Sequence, residues 1–118
     1  KPYAYNEIPG VLNLTDYDMG KNNITYYDID VANYSLSTGE FSAWNSGWFY
    51  RNDGVDIEVS ENTIDSNGFH VGFTNTGEWM KYTVTILDEG IYRISSRVSS
   101  GGDGGKFHLE LNGNARRL

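Results

Sequence analysis

The chain has 118 residues, 16 acidic against 9 basic side chains for a net charge of −7, no cysteine, 14 glycines and nine tyrosines. That length supports one core and no independently stable second domain; the missing thiols exclude disulfides, zinc–thiolate sites and cysteine nucleophiles. The acids are spread as a solvated surface, the only local basic excess is Arg116 and Arg117, which disfavours a phosphate backbone as partner, and no apolar run nears the roughly 20 residues of a membrane span.

Residues 1–10, KPYAYNEIPG, hold both prolines and no clear period, and are expected to be a linker or leading arm before a module over 11–118. VLNL is a short strand candidate. In NITYYDID, Ile24, Tyr26 and Asp28 share one face and Thr25, Tyr27 and Ile29 the other, so the pattern leaves its burial open. Residues 33–54 break the strand pattern with a loop dense in aromatics, among them Phe41, Trp44, Trp48 and Phe49; a loop that long is usually functional or disordered, and its rings argue for an ordered surface loop. VDIEV then alternates, with Val55, Ile57 and Val59 inward against Asp56 and Glu58. FHVGF does the same with Phe69, Val71 and Phe73.

The strand at WMKYTVTI puts Met80, Tyr82, Val84 and Ile86 toward the core, which leaves Trp79 on the polar face with Lys81, Thr83 and Thr85. The turn DEG, with Gly90 where a positive φ is cheap, predicts a hairpin into IYRISSRV, whose Tyr92, Ile94 and Val98 point inward. After the exposed loop SSGGDGG, KFHLEL alternates again with Phe107, Leu109 and Leu111 inward. Short strands at regular spacing, each with one apolar and one polar face, make the fold class all-β and the architecture a two-sheet β-sandwich.

Catalytic chemistry finds little support in these motifs. Glycoside hydrolysis needs two carboxylates fixed across a cleft, and no motif fixes such a pair; Asp56 and Glu58 read as a solvated strand face. His70 and His108 lack metal spacing, GGDGG lacks the lysine and helix of a phosphate loop, and no GxSxG occurs. The aromatics are the stronger signal, because the apolar C–H face of a sugar stacks on a flat ring while its hydroxyls need fixed polar partners. Trp79, Tyr26 or Tyr27, and the Trp44/Trp48/Tyr50 group are candidate platforms, with Asn45, Asn75 and Glu78 as hydrogen-bonding partners. An outward tryptophan covered by a loop of its own chain is the competing structural explanation.

YRNDGVDIEV, NGFHVGFTNTGEWMKYTV and EGIYRISSRVSSGGDGGKFHLELNG, in this order, resemble the consecutive motifs of family 6 carbohydrate-binding modules, and IPGVLNLTDYD with ITYYDID resembles that family's opening. The likeness covers about residues 8–113. It implies a jelly-roll β-sandwich, non-catalytic, appended to a secreted, extracellular glycoside hydrolase and acting as a monomer. It further implies a sugar held between Trp79 and Tyr26; Trp48, Glu78 and Asn75 join the candidate site from the pattern of rings and polar neighbours rather than from the resemblance. The family's acidic opening run, which helps hold a structural calcium, is replaced here by Asn13, Leu14 and Thr15, and the loss of both carboxylates weakens such a site. The family also continues for several strands past LELNG, which contribute an asparagine to the main site; the expectation is either that those strands follow Leu118 or that the fold is completed differently.

The loop STGEFSAWNSGWFYRNDGVDIE looks like modules attached to marine agar-degrading enzymes, which makes an agar-type galactan the leading ligand and an agarase the leading parent enzyme. A site flanked by two stacking rings suits the non-reducing end of a chain. Xylan or β-glucan binding, or a lectin-like adhesion role, are the alternatives the same fold supports.

Overall fold

The computed structural model describes residues 1–29, 46–62 and 64–116. Its strands are β1 (Asn6–Ile8), β2 (Tyr26–Tyr27), β3 (Ile57–Val59), β4 (Phe69–Val71), β5 (Trp79–Met80), β6 (Val84–Ile86), β7 (Leu109–Leu111) and β8 (Asn114–Arg116), with one 3₁₀ turn at Leu14–Asp16 and no α-helix among the described residues. The strands pair as four two-stranded ladders, of which β1–β6 is parallel and β2–β5, β3–β4 and β7–β8 are antiparallel. The fold is all-β, and among the described residues the ladders do not merge into continuous sheets.

Alternation located the centre of the core. Val55 and Ile57 are buried, and Phe69, Val71, Met80 and Tyr82 pack against the cluster to which they belong. The remaining core members, Tyr17 and Tyr26, meet edge to face with centroids 5.4 Å apart. Gly47 lies against β3: its amide donates to the Ile57 carbonyl at 2.8 Å, and a Cβ there would collide with the Ile57 side chain.

Three expectations differ from the structure. The leading segment is not a free arm, because Asn6–Ile8 pairs in register with Val84–Ile86 and the Met19 amide donates to the Lys1 carbonyl. VLNL forms no strand; its end enters the 3₁₀ turn, closed by the Asp16 amide donating to the Asn13 carbonyl at 2.9 Å. The hairpin expected through Gly90 is absent: residues 87–108 form no regular element, and Ile91, Ile94, Val98 and Phe107 are exposed. Alternation marks the face a strand would bury but supplies neither the neighbouring ladder nor the layer to bury it against. Of the aromatic loop expected over residues 33–54, Tyr34, Phe41, Trp44 and Asn45 lie outside the described residues, as does Arg117.

Candidate functional site

The β2–β5 ladder determines which rings meet. Its register sets Tyr26 opposite Met80 and Tyr27 opposite Trp79, and directly opposed residues of an antiparallel pair share a face. Met80 and Tyr26 turn into the core, while Trp79, 37% exposed, and the half-buried Tyr27 turn outward. The ladder continues one step further through the Lys81 amide, which donates to the Thr25 carbonyl at 2.9 Å.

Tyr26, the second platform implied by the resemblance, is therefore in a different position from the one expected. It is 4% exposed, and its hydroxyl donates to the Asp53 carbonyl. The sequence had left the two faces of NITYYDID undecided; the missing information was the register, which makes Tyr27 the phenol across from Trp79.

The turn before β5 is built by Asn75 and Glu78. The Glu78 carboxylate accepts from the Asn75 amide at 2.7 Å through one oxygen and from the Ile29 amide at 3.2 Å through the other. The Asn75 side-chain amide donates to the Phe73 carbonyl at 3.2 Å. Gly77, at φ +96°, supplies the left-handed residue this turn requires. Both polar residues thus fix the loop that delivers Trp79, and each keeps lone pairs available to a ligand hydroxyl. Lys81 lies on the same face: its ammonium is 5.1 Å from the Trp79 ring centroid and donates to the Ile24 carbonyl at 2.8 Å. In the sequence Lys81 is only a polar neighbour of Trp79; its place two residues on, on the same strand face, is the signal available there.

Trp48 belongs to another aromatic group. It is 40% exposed and meets Phe49 edge to face at 6.5 Å; Phe49 in turn meets Phe69, which stacks on Tyr50 at 4.5 Å.

Beneath β2 lies a polar cluster that no sequence motif announced. The Arg51 guanidinium, almost fully buried, sits over the Tyr17 ring at 3.4 Å and the Tyr3 ring at 4.3 Å. It donates to the carbonyls of Thr15, Tyr17 and Asp18, and pairs with the Asp53 carboxylate at 2.9 Å. The other Asp53 carboxylate oxygen accepts from the Tyr17 hydroxyl. Burial first, then the neighbouring Asp53 charge, raise the Tyr17 and Tyr26 hydroxyls above the ordinary value of 10.0. The Tyr50 hydroxyl is raised by burial and by its bond to Asp16, and that of Tyr82 mainly by burial.

The positions that correspond to the family's calcium-holding run offer no carboxylate. Asn13 Oδ1 accepts from the Asn67 amide and Thr15 Oγ1 from the Asn67 side chain, while the nearby carbonyls are taken by Arg51. No group of three or more His, Cys, Asp or Glu side chains that could hold a metal occurs among the described residues. This donor set does not fit a hard cation, which needs several oxygens and gains from their charge.

An indole and a phenol turned outward on one strand pair of an all-β scaffold present flat apolar faces to solvent. Residues 48–118, more than half of the chain, match the model described as carbohydrate binding module (family 6), and the chain belongs to that family. Comparison with curated proteins found no match. The family fold is a β-sandwich and its role is non-catalytic binding of polysaccharide or oligosaccharide, so the chain is a binding module rather than an enzyme. Among the described residues no helix is long and apolar enough to cross a membrane.

Proposed function

We propose that this module delivers an attached, secreted glycoside hydrolase to polysaccharide by stacking a terminal sugar on Trp79, with Tyr27 as the neighbouring ring and with Asn75 and Glu78 as hydrogen-bonding partners. The observation that carries the reading is the outward pairing of Trp79 with Tyr27 on a ladder whose opposite face is core. An agar-type galactan end is the leading ligand, on the likeness of the loop around Trp48 to agarase modules; xylan, β-glucan and an adhesion role follow behind it. Trp48 contributes on this reading as a separate exposed ring.

Calorimetry against agarose, xylan and laminarin oligosaccharides tests the reading, and absence of heat with all three would sink it. The donors around Asn13 and Thr15 support binding without structural calcium. The melting temperature in excess EDTA is then expected to equal that in calcium, and a fall of several degrees on chelation would restore the metal.

A further inference from the structure

We propose that Lys81 reads an anionic substituent, a sulfate ester or a uronic-acid carboxylate, on the sugar held at Trp79, so that the natural ligand is a charged rather than a neutral glycan. The inference rests on the stacking role proposed for Trp79 and deepens it.

The ammonium of Lys81 is held by two contacts, the Ile24 carbonyl at 2.8 Å and the Trp79 ring at 5.1 Å. A lysine on a polar strand face ordinarily swings free, and ordering it costs side-chain entropy; here that cost is met before any ligand arrives. The group has three donors, of which one goes to the carbonyl. The ion pairs among the described residues are Arg51–Asp53, Glu58–His70 and Glu110–His108, so among those residues Lys81 has no carboxylate within ion-pair distance. Glu78, the acid nearest in sequence, has both carboxylate oxygens turned to the backbone amides of Asn75 and Ile29. A sugar stacked on the part of the indole that Lys81 leaves open brings its exocyclic substituents within a few ångströms of that ammonium. There a sulfate or carboxylate accepts a charge-assisted hydrogen bond, which a neutral hydroxyl makes more weakly.

The net charge of −7 acts against polyanions at long range. At physiological ionic strength that repulsion is screened beyond about 8 Å, whereas a direct contact is not. The preference is therefore local to Lys81.

The test is calorimetry of the wild-type module, Lys81→Met, Lys81→Arg and Trp79→Ala against three probes of equal length: a neutral agarose oligosaccharide, a sulfated galactan oligosaccharide and a glucuronate-bearing xylo-oligosaccharide. At least one anionic probe is expected to bind wild type about tenfold more tightly than the neutral one, the scale of a partly exposed charged hydrogen bond. Lys81→Met should abolish that preference while changing neutral binding less than about twofold, and Lys81→Arg should restore most of it, since only the charged contact is at stake. Preference for one probe alone identifies sulfate or carboxylate as the group recognised. Equal affinity for neutral and anionic probes, or a preference that survives in Lys81→Met, overturns the role of Lys81 and leaves the stacking site standing. Failure of wild type to bind any probe overturns both.

Discussion

Replacing Arg51 by methionine keeps the aliphatic stem but removes every donor of the guanidinium. Three carbonyls, those of Thr15, Tyr17 and Asp18, lose their partner, and Asp53 loses its counter-ion. Breaking a buried pair on one side costs roughly 3–5 kcal/mol. The Asp53 side chain is 33% exposed, so water takes up part of that charge and the lower figure, about 3 kcal/mol, applies. At roughly 2.1 cal/mol/K per residue the unfolding entropy of 118 residues is about 0.25 kcal/mol/K, so the melting temperature should fall by about 12 °C. Lys81 and Trp79 lie outside the cluster, so sugar affinity at a temperature where the variant is folded should change little. Arg51→Lys should recover less than half of the loss, because a point ammonium cannot span three carbonyls and a carboxylate at once. Thermal and urea melts followed by circular dichroism measure the effect. A melting temperature for Arg51→Met within about 3 °C of wild type would refute the reasoning that the buried Arg51 contacts stabilise the fold, since the shift scales with the lost free energy.

Trp79→Ala and Tyr27→Ala are expected to weaken sugar binding at least tenfold, the scale of a lost aromatic contact, with melting temperatures nearly unchanged. Tyr26→Ala should lower stability by about 3–5 kcal/mol as a buried-ring deletion, and Tyr26→Phe by about 1 kcal/mol for its hydroxyl bond; equal stability losses at positions 26 and 27 would contradict the ladder register. The Thr25 hydroxyl is buried without a hydrogen-bond partner among the described residues, so Thr25→Val should hold or raise stability by up to about 1 kcal/mol in a urea melt. Because Tyr17, Tyr26, Tyr50 and Tyr82 have raised folded values, the stability they contribute is complete below pH 10.0 and is lost as the pH rises above it. Tyrosinate absorbance for these four should appear together with unfolding, and their ionisation in a still-folded module would count against their burial.

What could be read from the sequence followed from two-residue alternation. Val55, Ile57, Phe69, Val71, Met80 and Tyr82 were assigned inward and pack at or against the core, because each belongs to a segment whose partner strand or covering side chain is in place. Ile86, assigned inward by the same rule, is half exposed, and Val59 likewise: both stand at strand ends, where the ladder stops. Trp79 was singled out by its wrong-face position, and the structure keeps it outward. The identity of its neighbour was not legible, since Tyr26 and Tyr27 differ only in register, and register depends on a strand more than 50 residues away. The Arg51 cluster was equally hidden. Its acceptors are mostly backbone carbonyls, which carry no signature in side-chain identity, and the ordinary fate of an arginine in a polar loop is solvent.

The alternation of Tyr26 with Tyr27, and of Met80 with Trp79, divides duties between adjacent residues of the same two strands. Inward positions answer to the folding equilibrium and, on the proposed function, outward ones to the glycan. Selection or design can therefore vary positions 27, 79 and 81 as a three-residue alphabet for new sugars, while 26 and 80 stay constant as the page on which it is written.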